Sequence, residues 1–255
     1  MTLFNNECYF CILYKMRKKY YLILGVLFIA LITSGSRLKK GFKALEVYNY
    51  FEAKKKFERV KKRHKVPACF GLSIIYLRND NPFFNLDSAY TNIVTACDGY
   101  VELKDKKKKK YKKFAVDSVS LFRQRDLVSL DLFARAKKVN SIFGFQDFIN
   151  KNKWSPLIES AMTSRDSLYF IEVSGKDRSE DYYSFIVKYP NSSFFKEVKS
   201  KYEKSLYLEQ TQDNKLISYV NFIKGRPDSP YAGIAEDKIY EICTSSMSAE
   251  SYINF

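Results

Sequence analysis

A chain of 255 residues has room for one large or two small domains, and aromatic residues at 16% supply enough apolar surface for a sizeable core. Lys and Arg outnumber Asp and Glu by 44 to 28, and the resulting +16 points to an anionic partner or surface. Five cysteines, an odd number without a dense framework, argue against a disulfide-stapled secreted domain.

The N-terminal stretch Lys15-Met16-Arg17-Lys18-Lys19 precedes an apolar run from Tyr20 to Ser34, and the small residues Ser34-Gly35-Ser36 follow it. Basic segment, short apolar run and small residues are the three parts of an export signal. If translation begins at Met16, the layout is that of an ordinary signal peptide. The run falls short of the roughly 20 apolar residues of a spanning helix, yet Tyr20 and Tyr21 suit interfacial anchors. A cleaved signal and a retained anchor are both open. Four basic residues before the run (Lys15, Arg17, Lys18, Lys19) balance four after it (Arg37, Lys39, Lys40, Lys43), so charge does not set the orientation. A short basic N-terminus stays in the cytoplasm, which favours an exported body; a body tethered the other way is the alternative. Thr33-Ser34-Gly35-Ser36 is similar to the end of a bacterial lipoprotein signal, but a serine stands where the lipidated cysteine should be, and serine cannot form the thioether.

Residues 37–100 read as two helical hairpins. Ala53, Phe57 and Val60 fall on one helical face, Pro67 is expected to close that hairpin, and Ala68 to Leu77 is an apolar stretch suited to a buried helix. Asn79-Asp80-Asn81-Pro82 is turn chemistry, after which Ala89, Ile93 and Ala96 repeat the earlier spacing. Alanine, a large apolar residue four later, then a small one three after that, resembles the second helix of the tetratricopeptide repeat.

Residues 101–139 are expected to form a lysine-rich linker and a helix. Lys106, Lys107, Lys108, Lys109 and Lys110 are the centre of a basic block from Lys104 to Lys113. A run of like charges repels itself and reads first as a solvated helix end or linker. Its functional alternative is a membrane-surface or cell-wall-binding module that uses Lys104 to Lys113, through docking to anionic lipid headgroups in the first case. Nucleic acid is disfavoured, because Tyr111 alone is a poor stacking platform. From Val116 to Lys138 an amphipathic helix or pair is expected, with Leu121, Leu127, Leu130, Leu132 and Phe133 as core.

Residues 140–255 carry a repeat. Phe145-Gln-Asp-Phe148-Ile149, Tyr182-Tyr-Ser-Phe185-Ile186 and Tyr219-Val-Asn-Phe222-Ile223 are versions of one phrase, with Phe148, Phe185 and Phe222 spaced by 37 residues. Tyr252-Ile-Asn-Phe255 begins a fourth. A turn follows each of the first three: Trp154-Ser155-Pro156, Tyr189-Pro190-Asn-Ser192 and Arg226-Pro227-Asp-Ser229-Pro230. Each unit reads as two helices. In the third, a helix from Asn214 to Lys224 ends at Gly225, expected to be left-handed, and Ser229 is expected to cap a second helix from Tyr231 to Ile242. Ala235 points inward where Val198 and Ala161 stand in the earlier copies. A fixed register of this length predicts an all-α helical-hairpin solenoid; a plain bundle does not require it. The phrases resemble those of bacterial envelope tetratricopeptide-repeat proteins. That resemblance implies a non-catalytic scaffold of the cell envelope, on the periplasmic side of the inner membrane, and it transfers no binding residue.

Chemistry finds little purchase. His64, the single histidine, lies among basic residues expected to keep it solvated and unprotonated. Cys69 and His64 are separated by Pro67, Cys8 and Cys11 lack two further metal ligands, and no phosphate loop is present. No catalytic, cofactor or metal residue is assigned. Candidate partner-binding residues are Tyr182, Tyr183, Tyr219 and Tyr252, with core packing as their alternative. The partners expected are other proteins, of a class the sequence does not name, or an anionic lipid surface through Lys106 to Lys110. The last unit lacks its turn and second helix, so the chain reads as a piece of a longer frame or as completed by another chain.

Overall fold

The computed structural model describes residues 37–245 and residue 250, and these are helical with no strand among them. The helices are α1 (37–46), α2 (Tyr50–Val60), α3 (Lys65–Leu77), α4 (Leu86–Val101), α5 (Asp105–Lys112), α6 (Ser118–Val139), α7 (Ile142–Lys151), α8 (Ile158–Lys176), α9 (Ser179–Lys188), α10 (Phe195–Gln210), α11 (Leu216–Gly225) and α12 (Ala232–Cys243). The chain forms two compact units that divide at Leu132/Phe133, inside α6. The lysine block belongs to the first unit.

In the first unit, α2 and α4 are built alike. Asn49 and Asn85 cap them, accepting from the amides of Glu52 (3.1 Å) and Ser88 (2.8 Å). Ala53, Phe57 and Val60 on α2 and Ala89, Ile93 and Ala96 on α4 are all buried, as their spacing predicts. Caps and core positions alike are offset by 36 residues. Between them runs α3, apolar all round and buried from Val66 to Ser73. Pro67 does not end the first hairpin; it sits in the opening turn of α3, where a missing amide donor is harmless. The Phe57 ring fills the space between α1 and α3. A Cβ on Gly41 would stand 2.9 Å from that ring, and one on Gly71 would fall inside it. Glycine is required at Gly71 because the α3 backbone rests on the ring face.

In the second unit the 37-residue register is written into the backbone. Asn140, Asp177 and Asn214 each adopt a left-handed conformation, with φ of 48°, 48° and 54°. Asn and Asp tolerate that region better than other side-chain-bearing residues. Each marks the passage from one hairpin to the next. Gly225 is not left-handed; no glycine among the described residues is. The helix stops at Gly225 as expected, but without a left-handed residue there: its C-cap Arg226 has φ −148°, and the left-handed residue lies ahead of α11, at Asn214. Five residues after the left-handed position stands the aromatic of the next helix, and the Tyr182 and Tyr219 hydroxyls donate back to Asp177 Oδ1 (2.7 Å) and Asn214 Oδ1 (2.9 Å). Phe145 holds the same place above Asn140 without a hydroxyl.

The turns repeat as well. Ser155, Ser192 and Ser229 accept from the amides of Leu157 (3.1 Å), Phe194 (3.3 Å) and Tyr231 (3.3 Å). Each serine closes a tight turn two residues ahead of the N-cap position rather than serving as the N-cap itself. Phe148, Phe185 and Phe222 are buried, and so are Ala161, Val198 and Ala235. Each hairpin packs on the second helix of the one before. Val173 of α8 joins Tyr182 and Phe185 of α9 and Val198 of α10; Tyr207 of α10 joins Tyr219 and Phe222 of α11 and Ala235 of α12. Glu209 near the end of α10 adds a polar tie, accepting from both the amide (2.8 Å) and the hydroxyl of Ser179 at the start of α9. The core of α6 differs from expectation: Leu121, Val128, Leu132 and Ala136 are buried at spacings of seven, four and four, one helical stripe, whereas Leu127 and Leu130 fall off it and are exposed.

The junction geometry makes a prediction. Asp177→Ala should lower stability by about 2 kcal/mol, combining about 1 kcal/mol for a left-handed alanine with about 1 for the lost hydrogen bond. Asp177→Gly and Tyr182→Phe should each lose about half of that. Urea unfolding of the three variants checks it, and equal losses for alanine and glycine would show that the backbone conformation contributes nothing.

Candidate functional site

The lysine block is a helix, not a linker. Asp105 opens α5 and Lys109, Lys110 and Lys112 close it, charges placed to complement the helix dipole. Lysines at i, i+3 and i, i+4 repel, so the segment needs an external anchor. Tyr111 provides it: the ring is buried, and its hydroxyl lies 3.1 Å from His64 Nδ1 in the α2–α3 turn. Lys108 lies over the Tyr100 ring at 5.5 Å. Lys106, Lys107, Lys109 and Lys110 are exposed, and among the described residues no ion pair joins a lysine of 104–113 to a carboxylate.

His64 is half-buried rather than solvated. Burial, then the positive charges of Lys110, Arg63 and Lys107, hold its pKa below the usual histidine value. The ring is therefore neutral at neutral pH and free to share one hydrogen bond with Tyr111. Burial also raises the Tyr111 hydroxyl above its ordinary pKa.

The charge of the chain is concentrated here. Residues 37–132 hold 23 basic and 11 acidic side chains, net +12; residues 133–255 hold 17 and 16, net +1. Beyond α5, the first unit exposes Arg37, Lys39, Lys40 and Lys43 on α1 and Lys62 and Lys65 around the α2–α3 turn. Composition by segment, set beside the hairpin boundaries, is the signal that marks these residues.

The four candidate tyrosines separate. Tyr182 and Tyr219 are buried, with their hydroxyls turned back to the preceding junction, so they are core and unavailable to a partner. Tyr183, one residue on and about 100° round the helix, is 54% exposed and packs loosely against Tyr202 at 5.8 Å. Tyr252 lies outside the described residues. Tyr183 does not stand alone. Phe143 on α7, Val187 on α9 and Ile217 on α11 are also exposed, and Phe143 and Ile217 occupy the same repeat position two periods apart. The copy between them carries Glu180, so what the three first helices share is at least one exposed apolar residue each on one face, not a repeated set.

Nucleophilic chemistry is poorly served by the thiols. Burial pushes the Cys69 thiol up, and pushes Cys97 to about 11, away from the reactive thiolate. Asp181 is held below the usual carboxylate range, first by hydrogen bonding from Arg178, as a surface ion pair. No group of three His, Cys, Asp or Glu side chains able to hold a metal occurs among the described residues. No helix among them is long and apolar enough to cross a membrane. The apolar run 20–34, Cys8 and Cys11 lie outside the described residues. No family model, no curated protein and no solved structure matches this chain.

Proposed function

We infer that this protein is a non-catalytic scaffold of the bacterial cell envelope, a tetratricopeptide-like solenoid that holds protein segments along the outer side of its first helices. The carrying observation is the repeated exposure of Phe143, Tyr183, Val187 and Ile217 on α7, α9 and α11 above a core in fixed 37-residue register. Monomeric surfaces scatter single apolar residues, and exposed apolar residues that share one face of three successive first helices support a binding surface instead. The apolar run with its basic flank supports membrane attachment or export, with the body on the periplasmic side.

Photo-crosslinking of the full chain tests the surface. A crosslinker at Phe143, Tyr183 or Ile217 is expected to capture one partner in common. The same group at Leu127 and Leu130, exposed but outside the repeats, should not capture it. Capture of unrelated proteins at each position, or equal capture at the control sites, would defeat the reading.

A second reading rests on α5: a lysine helix held rigid by Tyr111 and free of carboxylate partners supports docking to an anionic surface. Replacing Lys106 to Lys110 by glutamine should weaken binding to anionic vesicles by at least about tenfold, since each lysine near such a surface contributes about 1 kcal/mol. Vesicle co-sedimentation measures it, and unchanged binding by the variant would remove the reading.

A further inference from the structure

We propose that the first unit carries a three-part basic face, made by α1, the α2–α3 turn and the C-terminal end of α5, that lies against the anionic headgroups of the bilayer. The proposal deepens the second reading above and rests on it. Two ties bring the three segments together. The Tyr111 hydroxyl meets His64 in the α2–α3 turn at 3.1 Å, and Phe114, just past α5, stacks on Phe42 of α1 with ring centroids 5.4 Å apart. Both are made at the same end of α5. Lys107 and Lys110 are close enough to His64 to depress its pKa, which places α5 charge beside Lys62 and Lys65. From α1 come Arg37, Lys39, Lys40 and Lys43, all exposed. Glu102 and Asp105 stand at the opposite end of the helix, and Asp117, just past the C-terminal end, is the carboxylate that Lys112 faces.

The chain itself selects the bilayer as the occupant. Five residues separate Ile32, the last large apolar residue of the run, from Arg37, a span of at most about 18 Å when fully extended. With that run retained in the membrane, Arg37 lies within about 18 Å of the hydrocarbon boundary, so α1 reaches the headgroups, where its four basic side chains work over the roughly 8 Å that physiological salt permits. A single-stranded nucleic acid would need rings to stack on. Here Tyr111 is buried, Lys108 lies over the Tyr100 ring, and the exposed rings of Tyr48 and Phe51 are engaged by Arg78 and Phe83.

Lysine acetylation, read by mass spectrometry on the unaltered full chain, tests the face. The chain is reconstituted into vesicles of phosphatidylcholine alone, or of an equal mixture with phosphatidylglycerol. Lys39, Lys40, Lys62, Lys65, Lys107 and Lys110 should all react at least about fivefold more slowly on the anionic vesicles. That protection should vanish at 1 M salt, where screening shortens to about 3 Å. Lys196 and Lys199 of the second unit should react alike on both. Protection confined to Lys106–Lys110 would overturn the three-part face while leaving the α5 reading intact. Protection nowhere would remove both. Equal protection of Lys196 and Lys199 would reduce the effect to general adhesion and overturn the face. Stronger protection by a single-stranded oligonucleotide than by vesicles would overturn the choice of a bilayer.

Discussion

Replacing Arg165 by alanine is expected to destabilise the second unit by about 3 to 5 kcal/mol, the range for stripping one partner from a buried ion pair. Arg165 and Asp166 are 6% and 4% exposed. The guanidinium donates to Asp166 Oδ1 from Nε (2.8 Å) and Nη2 (2.6 Å), and from Nη1 to Gln146 Oε1 (2.8 Å). Its flat face lies 4.1 Å from the Tyr189 ring at the end of α9. Alanine would leave the Asp166 carboxylate buried with no cation. The repeat suggests the remedy. One period on, Tyr202 stands where Arg165 does, and two periods on, Ile239, and both pack into apolar clusters. Arg165→Met combined with Asp166→Leu should therefore recover most of the loss, because a well-packed apolar pair can equal a buried ion pair. Urea unfolding of the single and double variants decides it. A loss below about 1 kcal/mol for the single change would mean that water reaches Asp166.

Enlarging Gly71 should have a comparable effect on the first unit. Alanine gains up to about 1 kcal/mol of helix propensity over glycine, but its methyl would occupy the volume of the Phe57 ring. Overpacking of that kind costs about 1 to 3 kcal/mol, and Gly71→Leu should exceed the upper end. Gly175 in α8 is the control: a Cβ there meets nothing within 4 Å, so Gly175→Ala should be neutral or stabilising. Shrinking Phe57 to valine should relieve Gly71→Ala in part, giving a double-mutant coupling of about 1 kcal/mol or more. Thermal unfolding followed by helix signal measures each of these variants. If Gly71→Ala is as benign as Gly175→Ala, the ring is free to move aside.

The helical class and the core were legible because both repeats place apolar residues at helical spacing. Ala53, Phe57 and Val60, and later Phe148, Phe185 and Phe222, are buried as the pattern requires. What periodicity could not give was the choice between neighbours. Tyr182 and Tyr183 are chemically identical in the sequence, and only the direction of the core distinguishes them. Leu127 and Leu130 look as apolar as Leu121 and Leu132, yet the packed stripe of α6 passes them by. The docking of α5 was hidden for another reason. Its anchor joins Tyr111 to a histidine 47 residues earlier, and no local rule links the two. The left-handed junctions were hidden too: the eye goes to Gly225, while the unusual backbone falls on Asn140, Asp177 and Asn214.

Those three junctions imply that the length of the second unit is an adjustable quantity. A hairpin there begins and ends on the same backbone conformation, and it meets its neighbours through the same kind of aromatic cluster. A cassette copied from one junction to the next could be spliced in at a third with no mismatch at either seam. An insertion of any other size inside a helix would turn every later side chain by about 100° per added residue and carry the buried aromatics out to water. Growth and shrinkage by whole hairpins are thus the inexpensive changes open to this architecture, and drift by single residues within its helices is closed to it.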